Sequence, residues 1–165
     1  MVAKHGPIQE FGAGCGYWAA ILKKRGVDIL ACERDPKAES NEFILRDADP
    51  DVVIQGDPFD HLTDDRALML IWPYSDESTH KGDGLAWDAE MLMNYQGSKV
   101  IYVGDWPSQG VGVSAPKCCS ESFLDILESE WKIVEHVELP CWPQTPNDLF
   151  VLERIQVNKQ RKLSQ

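Results

Sequence analysis

Short apolar segments alternate with amphipathic segments along most of the chain. The apolar segments have the length of strands that are buried on both faces, as in a parallel sheet. The amphipathic segments repeat their apolar positions every three to four residues, which is typical of helices that cover a sheet. The predicted strands are Ile8–Phe11, Val27–Cys32, Val52–Gln55, Leu68–Trp72, Lys99–Val103, Ile133–Leu139 and Leu149–Ile155, and the predicted helices are Tyr17–Arg25, Pro36–Leu45, Leu85–Tyr95 and Ser120–Trp131.

This order of elements predicts an α/β fold. Alternating strands and helices give a parallel sheet with helices on both faces, whereas the last two strands are joined by a Pro-rich turn and are expected to pair antiparallel. We therefore predict a Rossmann-like three-layer sandwich with a seven-stranded, mostly parallel sheet and an antiparallel last strand. The sequence shows no repeat or linker, so we expect a single domain over residues 1–157, followed by a disordered polar tail over residues 158–165.

Charge and cysteine usage narrow the classes of function. The chain has 16 Lys and Arg residues against 27 Asp and Glu residues, a formal net charge of -11. This charge counts against unaided binding to long nucleic acids and to anionic membrane surfaces. The sequence has no apolar run of membrane-spanning length and no signal peptide, and its five cysteines form no CxxC motif. These features predict a cytoplasmic protein with reduced thiols and no membrane association.

The most informative segment is the glycine-rich sequence after the first strand. Gly12, Gly14 and Gly16 separate that strand from a helix, and glycine is needed where a turn demands a positive φ or where the backbone must approach a ligand closely. Tyr17 follows them, which departs from the GxGxxG dinucleotide fingerprint, and no GK[ST] is present, which excludes a P-loop. Glu33 follows the second strand, where a carboxylate in an open α/β sheet can accept both hydroxyls of a ribose.

The run EFGAGCGYWAAILKKRGVDILACERDP resembles motifs I and II of class I S-adenosylmethionine-dependent methyltransferases. The seven strands with a final hairpin are also similar to that family, so the resemblance covers most of the chain. It implies S-adenosylmethionine as the cofactor, and an acidic site suits a sulfonium cation, an amino group and a ribose better than a pyrophosphate. The residues expected to contact the cofactor are Glu10, Gly12, Ala13, Gly14, Gly16, Tyr17, Glu33, Asp57 and Trp72.

The resemblance also implies a role for each part of this set. The glycines would approach the methionine end of the cofactor, and Glu10 would order the loop or meet the amino group through water. Glu33 would take the ribose hydroxyls and Asp57 the adenine amine. Two alternatives stay open at this point, because Glu33 also fits a helix cap and Asp57 also fits a turn before Pro58.

The fourth strand ends in Trp72-Pro73-Tyr74, where many methyltransferases that act on nitrogen carry Asp/Asn-Pro-Pro-Tyr. Trp72 replaces the polar residue and one proline is missing, which puts amino methylation of a base in doubt. Pro73 and Tyr74 are expected to line the substrate side, and the alternative is a packed Trp72 before a simple X-Pro turn. Positioning and desolvation can carry much of a methyl transfer, so we assign no catalytic residue. No cluster of histidines and acids suggests a metal site.

A nicotinamide- or nucleotide-binding oxidoreductase is disfavoured by Tyr17 after the glycines and Glu10 before them. Two other classes of function follow from these observations. The first is methyl transfer from S-adenosylmethionine to an unknown acceptor, for which the net charge favours a small molecule. The alternative is a catalytically weak or inactive binding module or partner subunit, which the altered turn at Trp72 fits. The first strand begins at residue 8, without the N-terminal helical cap that is usual in this family. The resemblance therefore also implies an open pocket, or one that a second copy or another chain closes.

Overall fold

The computed structural model describes residues 1–39, 46–73, 85–106, 118–140 and 147–155. The strands in these ranges are β1 (Ile8–Phe11), β2 (Ile29–Glu33), β3 (Ile54–Gln55), β4 (Ala67–Ile71), β5 (Lys99–Gly104), β6 (Trp131–Glu138) and β7 (Asp148–Arg154). The helices are α1 (Tyr17–Lys24), α2 (Pro58–His61), α3 (Trp87–Asn94) and α4 (Glu121–Glu130), preceded by a short 3-10 helix, Val2–His5.

The seven strands form one sheet in the order β3-β2-β1-β4-β5-β7-β6. Strands β1 to β5 pair in parallel, and β7 lies antiparallel between β5 and β6. The predicted α/β fold is therefore confirmed. In an open sheet of this kind, ligands bind outside the carboxyl ends of the strands, at the point where the strand order reverses. Here that point lies between β1 and β4, and the glycine loop follows β1.

Two apolar clusters, one on each face of the sheet, form the core and give the predicted three layers. Successive side chains of a strand point to opposite faces, so neighbouring residues of β5 belong to different clusters. Tyr102 packs with Phe123 of α4 and Phe150 of β7 on one face, and Ile101 belongs to the cluster of Leu22 of α1 on the other. Among the described residues, no helix has the length and apolar character needed to cross a membrane.

The predicted helix Pro36–Leu45 is wrong over residues 36–39, which form a loop, and the rest of that range lies outside the described residues. Backbone groups that a helix would use for its own hydrogen bonds instead reach the segment 46–48. The carbonyl of Pro36 accepts from the Ala48 N–H at 2.9 Å, and the Ala38 N–H donates to Oδ1 of Asp47 at 3.0 Å. Tertiary contacts thus override the local helix signal that Pro36 supplied.

The last predicted helix ends one residue early, because Trp131 is the first residue of β6 rather than part of α4. Its backbone is extended, with φ -128° and ψ 146°. The guanidinium of Arg154 lies 4.2 Å from the centroid of the indole, and Tyr95 stacks against it. The four-residue spacing of Phe123, Leu127 and Trp131 favoured a longer helix, but these contacts hold Trp131 in the sheet.

Gly16 packs closely against the segment before β3, and its replacement should cost more than that of a glycine with the same backbone angle. Gly16 and Gly26 both have φ +76°, so a Cβ brings similar backbone strain at each, about 1–2 kcal/mol. A Cβ on Gly16 would collide with Val53 and lie 3.0 Å from Cγ1 of Val52, whereas nothing lies within 4 Å of one on Gly26.

We therefore expect Gly16→Ala to lower the free energy of unfolding by about 3 kcal/mol or more, and Gly26→Ala by about 1 kcal/mol. Urea denaturation of the two variants and the wild type measures this difference. Equal losses in the two variants would contradict close packing at Gly16.

Candidate functional site

The loop after β1 is a tight turn that delivers the chain into α1. Gly12, Gly14 and Gly16 have φ values of +68°, +54° and +76°, a conformation that only glycine adopts without strain. The Gly16 N–H donates to the carbonyl of Ala13 at 2.9 Å, and the Ala13 N–H donates to the carbonyl of Cys32 at 3.2 Å. The turn is therefore fixed to the end of β2 by its own backbone.

Glu33 binds this turn directly. Its Oε2 accepts from the Gly14 N–H at 2.9 Å, and its Oε1 accepts from the Asp35 N–H at 3.2 Å. No helix begins over residues 34–39, so the alternative role of Glu33 as a helix cap is wrong for that stretch. A carboxylate has about four acceptor sites. These two bonds leave the half-buried carboxylate of Glu33 with capacity for further donors.

Glu10 lies on β1, behind the turn, and is only 2% exposed. Burial raises the pKa of its carboxyl group to about 8, and a hydrogen bond from the backbone N–H of Ala19 in α1 opposes this shift only in part. Among the described residues, Oε2 of Glu10 has no hydrogen-bond partner. The side chain therefore carries a proton in the free protein at neutral pH. It supports the first turn of α1 from inside the core.

Asp57 lies at the end of β3 and caps α2. Its Oδ1 accepts from the Phe59 N–H at 3.1 Å, and its Oδ2 accepts from Nη2 of Arg34 at 3.0 Å. The sequence left open a turn before Pro58, and in the structure Asp57 instead caps a short helix that begins at Pro58. The adenine contact of Asp57 stays a prediction. The backbone also ties this end of β3 to β2, because the Gly56 N–H donates to the carbonyl of Glu33 at 3.1 Å.

Trp72 follows β4 and has a left-handed backbone conformation, with φ +46°. Its side chain is 56% exposed and does not pack in the core. Its backbone N–H donates to the carbonyl of Val103 at 2.9 Å, which holds the turn in place. The alternative of a packed Trp72 is therefore wrong. Pro73 is buried, and Tyr74 lies outside the described residues. A bulky residue with positive φ marks a strained position, and such positions occur preferentially at functional sites.

Two residues at this edge were not found from the sequence. Trp87 begins α3, and its Cη2 lies 3.4 Å from the place where a Cβ on Gly12 would be. Asp88 is fully buried and accepts from the backbone N–H and the hydroxyl of Ser120 at 2.7 and 2.8 Å. Burial raises the pKa of Asp88, and its hydrogen bonds oppose this shift. The sequence signal that could have pointed to them is the pair Trp87-Asp88 at the start of the helix that follows β4.

Exposed Tyr17 completes the described side chains around the turn. It is the first residue of α1, is 60% exposed, and meets Trp18 edge to face with 6.0 Å between ring centroids. The structure thus brings Glu10, the three glycines, Ala13, Tyr17, Glu33 and Trp72 to the turn or to the strand ends beside it, and places Asp57 at the end of β3. These side chains present carboxylates and aromatic rings, which suits a ligand that carries hydroxyls and a cation.

No protein-family model matches this chain, and no curated protein matches it in sequence. Solved structures do match it. The mitomycin 7-O-methyltransferase MmcR is 17% identical over 94% of this chain and 50% of its own, with a TM-score of 0.50. A Streptococcus pneumoniae protein assigned as a tRNA methyltransferase is 13% identical over 95% of this chain and 65% of its own, with a TM-score of 0.49.

The antibiotic-resistance methyltransferase Kmr is 18% identical over 90% of this chain and 86% of its own, with a TM-score of 0.43. At sequence identities this low, the matches give information about the fold alone. The match to MmcR, together with the strand order, shows that the chain shares the Rossmann-like α/β fold of this methyltransferase. The chain spans 65% of the Streptococcus protein and half of MmcR.

The raised pKa of Glu10 predicts a specific pH dependence of stability. Burial raises the pKa of this carboxyl from the usual 4.5 for glutamate to about 8 in the folded protein. The stabilisation that the protonated carboxyl of Glu10 contributes is fully present below pH 4.5 and declines as the pH rises towards 8. Between pH 5 and pH 8, we expect the wild type to lose roughly 4 kcal/mol of unfolding free energy relative to Glu10→Gln. Glu128→Gln, which changes an exposed residue of α4, should follow the wild type. Parallel losses in wild type and Glu10→Gln would contradict the prediction.

The left-handed conformation of Trp72 predicts an inverted order of two variants. Alanine normally stabilises a chain relative to glycine, but at φ +46° a Cβ costs about 1–2 kcal/mol. We expect Trp72→Gly to be more stable than Trp72→Ala by about 1 kcal/mol. Thermal unfolding of the two variants measures the order, and a more stable Trp72→Ala would show that the strain is absent.

Proposed function

We propose that this protein binds S-adenosylmethionine at the carboxyl edge of its sheet and transfers the methyl group to an acceptor. The observation that carries this proposal is the contact between Glu33 and the glycine turn, where Oε2 accepts from the Gly14 N–H at 2.9 Å. It brings an acid at the end of β2 against the turn at the end of β1, and these are the two segments in which the sequence resembles the methyltransferase motifs. The fold shared with MmcR supports the same proposal.

The residues present fit this cofactor. The carboxylate of Glu33 keeps acceptor capacity for ribose hydroxyls after its two backbone bonds. Asp57 would reach the adenine end. The loop from Gly12 to Gly16 contains no Lys or Arg, which suits a cofactor whose reacting end is cationic. When bound, S-adenosylmethionine supplies an activated methyl group for direct displacement, so the protein's part is to position the reactants and exclude water.

The acceptor is proposed to be a small molecule, because a net charge of -11 disfavours unaided binding to a polyanion. Trp72 and Pro73 would line the acceptor side, with Tyr74 beside them. The aromatic ring of Trp72, 56% exposed, offers a surface for a planar or apolar acceptor. A second copy or another chain is proposed to close the pocket, and the protein is proposed to act in the cytoplasm.

A binding module without catalysis is the second candidate function. Its support is Trp72, which stands where methyltransferases that act on nitrogen carry a polar residue. Such a module would bind S-adenosylmethionine through the same glycine turn but would not release S-adenosylhomocysteine in the presence of any acceptor. Release of S-adenosylhomocysteine during incubation with acceptor mixtures would separate the two candidates.

Removal of the Glu33 carboxylate tests the cofactor site. In isothermal titration with S-adenosylmethionine and S-adenosylhomocysteine, we expect Glu33→Ala to weaken binding by about 1–3 kcal/mol, because it leaves the ribose hydroxyls without a charged acceptor. Glu128→Ala removes the same charge from an exposed site on α4 and should bind like the wild type. NADH is the control ligand. Binding of NADH without binding of S-adenosylmethionine would favour an oxidoreductase, and unchanged binding by folded Glu33→Ala would contradict the assigned site.

A further inference from the structure

We propose that Trp87 is a wall of the ligand site, and that Asp88 is the residue that positions it. This inference rests on the proposed function and assigns a binding role to a residue outside the sequence motifs. The indole of Trp87 lies against Gly12, the first glycine of the loop. A Cβ added to Gly12 would lie 3.4 Å from Cη2 and 3.7 Å from Cζ2 of Trp87. Trp87 therefore borders the carboxyl end of β1, although 75 positions separate it from Gly12 in the chain.

The burial of Trp87 differs from that of a core aromatic residue. Tyr95, at the other end of α3, is 1% exposed, and Trp131 is 3% exposed. Trp87 is only half-buried and packs on the edge of the core cluster that contains Phe11. Because the indole is partly exposed beside the turn, a ligand bound at the turn would contact it.

Asp88 fixes the start of α3 more firmly than a surface cap would. Its carboxylate accepts from the Ser120 N–H at 2.7 Å, from the Ser120 hydroxyl at 2.8 Å and from the Ala89 N–H at 2.8 Å. Ser120 in turn caps α4 by accepting from the Phe123 N–H at 3.1 Å. One fully buried carboxylate thus ties the first turns of both helices together.

A buried carboxylate is a costly way to join two helices, and apolar packing often stabilises as well or better. What the carboxylate adds is position, because its hydrogen bonds have defined directions. The residue immediately before Asp88 is Trp87. The hydrogen bonds between Asp88 and Ser120 therefore fix the position of the neighbouring indole relative to Gly12. Gly12 follows β1, which is distant from α3 in the sequence.

The test compares Trp87→Phe, Trp87→Ala and Asp88→Asn with Met93→Ala, which changes a 55% exposed residue on the same helix. The measurements are isothermal titration with S-adenosylmethionine and S-adenosylhomocysteine, together with thermal unfolding. We expect Trp87→Ala to weaken binding at least tenfold and Trp87→Phe by no more than about threefold, because phenylalanine keeps part of the apolar wall. Met93→Ala should bind like the wild type. Asp88→Asn should also weaken ligand binding. Trp87→Phe should keep a melting temperature close to that of the wild type.

Fluorescence supplies a readout that a purely structural role would not move. If Trp87 touches the ligand, S-adenosylhomocysteine will change the tryptophan emission of the wild type, and this change will be smaller in Trp87→Phe at saturating ligand, where Trp72 is the remaining tryptophan assigned to the site. An equal change in both proteins, or wild-type affinity in folded Trp87→Ala, would overturn the inference while leaving the cofactor site intact. Absence of binding to the wild type would instead refute the proposed function, and this inference with it.

Discussion

The hydrogen bond from the Gly14 N–H to the carboxylate of Glu33 is the contact on which the candidate site depends. It joins the turn after β1 to the end of the neighbouring strand, and both groups lie at the edge where the strand order reverses. Three glycines with positive φ make the turn tight enough for this contact. A side chain at Gly16 would also push the turn away from Val53, so the packing beneath α1 and the site above it share one constraint.

Carboxyl groups do three different kinds of work in this fold. Glu10 is buried and protonated at neutral pH, and it supports α1 from below. Asp88 is buried but surrounded by three donors, and it ties α3 to α4. Glu33 and Asp57 are partly open at the strand ends, where their oxygens meet backbone N–H groups and Arg34. The open pair is available to a polar ligand, whereas the buried pair holds the elements that frame it.

The succession of strands along the chain and the identity of the turn could be predicted because both depend on local patterns. Short apolar runs gave the strands, and Gly12, Gly14 and Gly16 gave the turn. The element ends were less predictable. Trp131 continued the helical spacing but belongs to β6, because its ring stacks with Tyr95 and contacts the guanidinium of Arg154. Pro36 was a reasonable helix start, yet its carbonyl bonds to Ala48, a partner outside any helix.

The sequence by itself determined the class of fold, the glycine turn and the acid at the end of β2, because each depends on residues that are close in the chain or on a strict period. Only the tertiary structure decided that Trp72 stands exposed in a strained conformation, that Asp57 already holds Arg34 and caps α2, and that Trp87 lies against Gly12. These contacts join residues far apart in the chain. Their geometry follows from how the helices pack on the sheet, which no local pattern records.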